Sequence, residues 1–286
     1  MILVVGATGT LGGEIARRLL AQGRKVCVLV RPQSPYHSLV AAGAEPAMGD
    51  LKDPASLAAA CRGVEQVVTT ANSAQRGGED NADTVELHGN RSLIDAARQA
   101  GVKRFILTSA YGATPQHPAP FMAGKGMSEE HLRASGLSYT ILVPNAFMEV
   151  WVWMVVAGPA LAGQPVTIVG EGRRKHSFIS RDDVASFAVA ALDNPAARNQ
   201  HLMLGGPEPL SWHDPVTIYE RVLGRSIPVQ HVPIDAPMPN MPEHLHSLLV
   251  GFDMYDSPID MAELSQTFGV QLHSVEEVAR RPAARE

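Results

Sequence analysis

The sequence predicts an α/β protein, a doubly wound parallel sheet with a smaller C-terminal α+β lobe. Three observations carry that expectation. Short apolar runs alternate with amphipathic helical patterns through the first half of the chain. Runs such as VCVLV (26–30) are apolar at both parities, which fits strands buried on both faces. A turn with glycine at every third position separates the first run from the first helical pattern.

The elements follow in order. Ile2–Val5 reads as a buried strand, and 12–22 as a helix with Leu11, Ile15 and Leu19 on one face and Gly23 as its stop. A second strand covers 25–30, a helix 55–63 and a strand 66–71. A long helix over 85–101, again ended by glycine, leads to a strand at 104–110. Helix 128–136 and strand 139–143 repeat the beat. After Pro144 the texture changes, with strand-like runs at 165–172 and 201–206 around one clear helix inside 175–195. Ser180 is placed to cap that helix, and Asp183 adds negative charge to its first turn. Ser211 and Asp214 repeat the arrangement before 215–224. Prolines cluster from 226 to 260, which predicts an irregular lobe. The expected division is a nucleotide-binding domain over 1–150, with additions from 175–205, and a substrate lobe over 151–286.

Composition narrows the function classes. The chain has 286 residues, 45% apolar and 19% charged, with a net charge of -5 and no basic stripe, which argues against a nucleic-acid partner. Cys27 and Cys61 form neither a metal-ligand spacing nor a disulfide framework. MILVV is too short and wrongly flanked for a signal peptide. The greasy stretch 146–163 is broken by Glu149 and by Gly158-Pro159, so it falls short of a membrane span. A cytoplasmic protein with a small-molecule substrate and no membrane partner is expected. Pairing into a homodimer is left open.

The turn Gly6-x-x-Gly9-x-x-Gly12 sits between a strand and a helix, where bare backbone and free N–H groups suit a pyrophosphate. Where NAD-binding proteins carry an acidic residue about 20 positions after the turn, this chain has Arg31. A guanidinium suits a 2′-phosphate, so NADP(H) is favoured over NAD(H). The plainer reading is a solvated arginine at a strand end.

GATGTLGG (6–13), VRP (30–32), GDLKD (49–53), residues 89–113 and FISRDDVA (178–185) together resemble the extended and atypical short-chain dehydrogenase/reductases. The block 124–149 and TFGV (267–270) are most similar to the NmrA-like branch of these Rossmann proteins, which includes quinone, azo and isoflavone-type reductases and NADP-sensing regulators. The resemblance implies roles at matching positions. Gly6, Thr8, Gly9, Thr10, Leu11 and Gly12 would hold the phosphates. Asp50 and Leu51 would lie against adenine, and Thr70, Ala71 and Asn72 would border the ribose and pyrophosphate. Ser109 and Lys125 would face the nicotinamide, and Pro144, Asn145 and Phe147 would close over it. Asp50 as a plain turn cap and Asn72 as a plain loop residue are the alternatives.

The wider superfamily uses a tyrosine four residues before a lysine as proton donor. Here Lys125 is preceded at that spacing by Phe121. Lys125 is expected to bind the cofactor and to act on the substrate; the plainer reading is a surface lysine in a glycine-flanked loop. Tyr111 is the nearest phenol and a substitute acid, and His117 follows in a proline-containing loop. Two tryptophans and two methionines in 147–156 would suit a flat apolar acceptor, or simply face a core. His244 and His246 are too isolated to suggest a metal, and Asn90-Arg91-Ser92 is discounted as a glycosylation site inside a predicted helix. The first expectation is an NADPH-dependent oxidoreductase acting on a quinone, azo or enone acceptor. The alternatives are a non-catalytic NADP(H) sensor and an epimerase- or dehydratase-like enzyme, the last weakened by Phe121.

Overall fold

In the computed structural model, residues 1–74, 76–236 and 243–281 are described. The elements of the first half are β1 (Ile2–Val5), α1 (Thr10–Ala21), β2 (Val26–Val30), α2 (His37–Ala41), β3 (Glu45–Met48), α3 (Pro54–Ala60) and β4 (Gln66–Thr69). A wide-wound π-helical stretch, Ala82–Gly89, runs into α4 (Asn90–Gln99). Then come β5 (Arg104–Thr108), α5 (Pro120–Ala134) and β6 (Tyr139–Pro144). A second π-helical stretch, Met148–Ala157, runs into α6 (Gly158–Leu161). The rest is β7 (Val166–Val169), α7 (Arg181–Asp193), β8 (Gln200–Leu204), α8 (His213–Leu223), β9 (Val229–Val232), α9 (Glu243–Met254), α10 (Ala262–Phe268) and α11 (Val275–Ala279).

Seven strands form one sheet in the order β3-β2-β1-β4-β5-β6-β8. From β3 to β6 every neighbouring pair is parallel. The order reverses between β1 and β4, and ligands of such sheets bind beyond the carboxyl ends of the strands at that point. The strands β1, β2 and β5 are buried at every position. Leu3, Leu57, Leu93, Ile94, Phe105, Leu132 and Ile141 pack one face without solvent access. Each such side chain contributes roughly 1.5–3 kcal/mol of burial.

The chain divides into two compact units. One comprises residues 1–144, 184–203 and 267–270; the other comprises 145–183, 204–266 and 271–286. The second unit has its own core, in which Met148, Val152, Val156, Ile168, Phe178 and Trp212 are buried. It also has a two-stranded parallel sheet, β7 with β9.

Several boundaries differ from the sequence reading, for identifiable reasons. β3 carries Pro46 and is largely exposed, so no apolar run announces it; it is the edge strand, where proline is tolerated. The long helix begins at Ala82 rather than 85, because Asn81 caps it by accepting from the N–H groups of Asp83 and Thr84. α5 begins at Pro120, eight residues before the predicted start. The expectation of an irregular lobe over 226–260 fails for β9 and α9; residues 237–242 lie outside the described residues. Among the described residues no helix is long and apolar enough to cross a membrane.

Candidate active site

Because the strands run parallel, everything that directly follows them gathers on one edge of the sheet. Gly6 follows β1, Arg31 follows β2, Asp50 lies two residues past β3, and Thr70, Ala71 and Asn72 follow β4. Ser109 follows β5, and Pro144 ends β6.

The turn after β1 is closed by the Gly9 amide, which donates to the Gly6 carbonyl at 3.0 Å. Gly6 has φ +85°, a conformation glycine adopts freely, and a Cβ there would lie 2.8 Å from the Ala71 nitrogen. A Cβ on Gly12 would lie 2.3 Å from the Gly6 carbonyl oxygen. Packing therefore accounts for these two glycines. It does not account for Gly9, which is exposed, has φ -87° and would place a Cβ only 3.3 Å from the nearest atom. Gly9 is also the N-cap of α1 and supplies no side-chain cap. The first-turn amides of a 12-residue helix thus stand under a bare backbone, as a phosphate cradle requires. Thr8 is half-buried and Thr10 exposed in this turn, and Leu11 is half-buried behind it.

Arg31 is not a solvated strand cap. Its Nη1 lies 2.7 Å from an Asp80 carboxylate oxygen and 3.7 Å from Asp50. Lys52 Nζ reaches the other Asp80 oxygen at 2.9 Å. Asp50 does act as a turn cap: its carboxylate accepts from the Lys52 amide at 2.9 Å. Leu51 packs half-buried against the core. Asn72 shapes its own loop, donating to the Thr70 carbonyl and accepting from the Ala74 amide, both at 3.1 Å. Thr70 is buried, and its hydroxyl lies 2.8 Å from where a Gly6 Cβ would stand. The Ala71 amide faces the same point.

Lys125 lies inside α5 and is buried, which overturns the reading of a surface lysine in a glycine-flanked loop. Its ammonium donates to the Thr108 carbonyl at 3.3 Å and stands 5.1 Å from the centre of the Phe121 ring, one turn earlier on the same helix. Burial pushes the Lys125 pKa down, against the opposing pull of Glu86 and Glu129. Ser109 is buried and its hydroxyl donates to Glu129. Glu129 also accepts from His201 at 3.1 Å and Arg133 at 2.7 Å. Burial opposes its ionisation most strongly, yet the bonds from His201, Ser109 and Arg133 hold the carboxyl below its usual range. Glu86 accepts from both the amide and the hydroxyl of Ser73 at 2.7 Å. Beside this cluster the Thr108 hydroxyl oxygen is buried with no protein partner.

The remaining predicted residues are placed as follows. The Tyr111 amide donates to the Pro144 carbonyl at 3.0 Å, and its side chain packs half-buried on the core. The His117 ring accepts from the Ala119 amide at 3.0 Å, just before α5, so it shapes the loop rather than hanging in solvent. Asn145 and Phe147 belong to the second unit. There the Asn145 amide donates to the carbonyl and hydroxyl of Ser257 at 2.9 and 3.0 Å, and its oxygen accepts from the Ala146 amide. Phe147 starts the second π-helical stretch. That stretch buries Met148 and Val152 but leaves Trp153 48% exposed, so it is only partly a core element. The side chain of His244 lies outside what is described, and His246 lies in α9.

Lys52, Asp80, Glu86, Glu129 and His201 were not singled out from the sequence. The four-residue spacing of Lys125 and Glu129 is a usable signal once α5 is extended back to Pro120. His201 and Asp80 arrive from distant segments and leave no local signature.

A parallel sheet whose switch-point turn exposes helix amides, with cations one strand away, defines a dinucleotide-binding α/β protein. Comparison with known proteins agrees. A family model described as NAD(P)H-binding matches residues 6–195. The chain is 32% identical over 290 residues to an NAD(P)H azoreductase from Xenophilus azovorans, covering 99% of this chain and 94% of that protein. It is 31% identical over 233 residues to a photosystem II assembly factor from Guillardia theta, covering 82% and 73%. The crystal structure of an NADPH-dependent quinone oxidoreductase from Escherichia coli, complexed with NADPH, superposes with TM-score 0.81 at 22% identity, covering 98% of both chains. The chain belongs to the NAD(P)H-binding family.

Proposed function

We propose that this protein is an NADPH-dependent reductase of small, flat, apolar acceptors of the quinone, azo or enone type. When bound, the coenzyme supplies the hydride. The chain's own residues hold it. The α1 amides take the diphosphate, Arg31 and Lys52 take the 2′-phosphate, and Lys125 stands at the end of β5 that the nicotinamide ribose would reach.

The observation that carries the reading is the pairing of Lys125 with Phe121. The ammonium faces an aromatic ring at the spacing where a phenol would serve as acid, so no tyrosine on α5 is coupled to it. Acceptors that tolerate hydride first and a proton from water afterwards fit such a site best. The second reading, an NADP(H) sensor without turnover, is favoured by the same missing phenol and by the likeness to an assembly factor.

Stopped-flow oxidation of NADPH against a panel of quinones, azo dyes and enones decides between them. Turnover that collapses in Lys125→Ala while NADPH still binds supports the reductase. Tight NADPH binding with no turnover on any acceptor overturns it in favour of the sensor. The coenzyme preference is tested by Arg31→Asp, which should weaken NADPH far more than NADH.

A further inference from the structure

The most unusual feature of the coenzyme edge is that its cations are already claimed by the protein itself. Arg31 and Lys52 come from separate strand ends, and both converge on Asp80, one cation on each carboxylate oxygen, at 2.7 and 2.9 Å. Arg76 adds a third contact at 3.4 Å. A carboxylate gripped by an arginine and a lysine is the geometry a phosphate would take in the same place. The Asp80 side chain is only 16% exposed, whereas neighbouring Glu79, 3.5 Å from Lys52, is 94% exposed. Asp80 therefore occupies the cation site and Glu79 merely borders it.

We propose that Asp80 is a specificity-setting residue. It competes with the 2′-phosphate of NADP(H) for Arg31 and Lys52, and must withdraw before that phosphate can bind. The proposal rests on the assignment of Arg31 to the 2′-phosphate.

The backbone around Asp80 leaves its side chain room to turn away. Gly77 and Gly78 precede it, and a Cβ on either would touch nothing within 4 Å, so both positions face open space. Gly78 has φ +65°, and the Asp80 amide donates to the Gly77 carbonyl at 3.3 Å. Behind it, Asn81 caps the next helix and donates to the Gly78 carbonyl at 3.2 Å, while the Thr84 hydroxyl donates to the Glu79 carbonyl at 2.6 Å, so withdrawal is a turn of the Asp80 side chain rather than a movement of the whole segment. With Asp80 in place the edge presents carboxylate oxygens from Asp80 and Asp50, which suit the free 2′-hydroxyl of NAD(H). With Asp80 withdrawn it presents two cations, which suit NADP(H). One aspartate thus levels the preference between the two coenzymes.

The test reads binding alone. Isothermal titration compares 2′,5′-ADP with 5′-ADP on the wild-type protein, Asp80→Asn, Asp80→Ser and Arg31→Ala, with circular dichroism confirming the fold of each. Both Asp80 variants should raise the preference for 2′,5′-ADP over 5′-ADP by about tenfold, the scale of one charge-assisted hydrogen bond that no longer has to be broken. An unchanged or reduced preference in both variants overturns the proposal. Arg31→Ala separates the two layers. If it lowers the preference while the Asp80 variants leave it unchanged, the competition is wrong and the 2′-phosphate assignment survives. If it leaves the preference unchanged, the assignment itself fails, and the proposal with it.

Discussion

Two glycine-rich stretches of the first unit, GATGTLGG at 6–13 and GKG at 124–126, use the same residue for opposite ends. In the turn after β1, Gly6 and Gly12 let the backbone fold tightly on itself, and Gly9 leaves the start of α1 uncovered. In α5, Gly124 and Gly126 let a helix approach its neighbours. A Cβ on Gly124 would lie 2.8 Å from the Glu86 Cβ, and one on Gly126 would lie 2.3 Å from the Thr114 carbonyl carbon. That approach is what buries Lys125 between them. One stretch leaves main-chain amides uncovered; the other hides a charge.

The largest expected effect breaks the second stretch. Gly126→Ala sets a methyl against the Thr114–Pro115 backbone, which has no rotamer with which to yield. Urea denaturation should show a loss of about 3 kcal/mol or more. Gly9→Ala in the turn should stay within about 0.5 kcal/mol of wild type by the same measurement. Equal losses at both positions would erase the contrast.

Next comes the ligand. Gly9→Val adds bulk over the first-turn amides and meets backbone only at the Gly6 carbonyl oxygen, 3.3 Å from its Cβ, so the melting temperature should fall far less than for Gly126→Ala. NADPH affinity by fluorescence titration should fall at least about tenfold, or ~1.4 kcal/mol. Unchanged affinity would mean that the bare turn is not the phosphate cradle.

Lys125→Met sharpens the other side. It replaces a buried ammonium with an apolar chain of similar length, and such exchanges leave stability within about 1 kcal/mol or raise it. Quinone-dependent NADPH oxidation should drop while the urea midpoint holds. A stability loss as large as that of Gly126→Ala would make Lys125 a structural residue and nothing more.

The contrast also explains what could be read from residues alone. The turn was legible because its chemistry is local: strand, three glycines and helix lie within 21 residues, and backbone amides need no partner from elsewhere. Arg31 was legible for the same reason, as the residue after β2. The Lys125 cluster was only half legible. Glycine is a poor helix former, so GKG reads as a loop, and only close packing against Glu86 and Thr114 explains a helix there. His201 reaches Glu129 across 72 positions, and Asp80 reaches Arg31 across 49. No spacing rule reports such meetings. β3 escaped because an edge strand needs neither an apolar run nor freedom from proline.

The smallest expected effect concerns charge rather than packing, and it links the turn's edge to stability. Lys52 and Arg31 hold the Asp80 carboxyl down to about 2 from its ordinary 3.8. A carboxyl whose folded pKa lies below its unfolded one stabilises the fold above the unfolded value, and loses that contribution as pH falls through the folded value. The stability gap between wild type and Asp80→Asn should therefore be constant above about pH 5. It should narrow steadily from there toward pH 2. Urea midpoints of the two proteins at pH 7, 5, 4 and 3 measure it. A gap that stays constant down to pH 3 would show that Asp80 is not held by its cations. A gap that narrows in this window, alongside tighter 2′,5′-ADP binding by the same variant at pH 7, would show one carboxylate trading fold stability against coenzyme affinity.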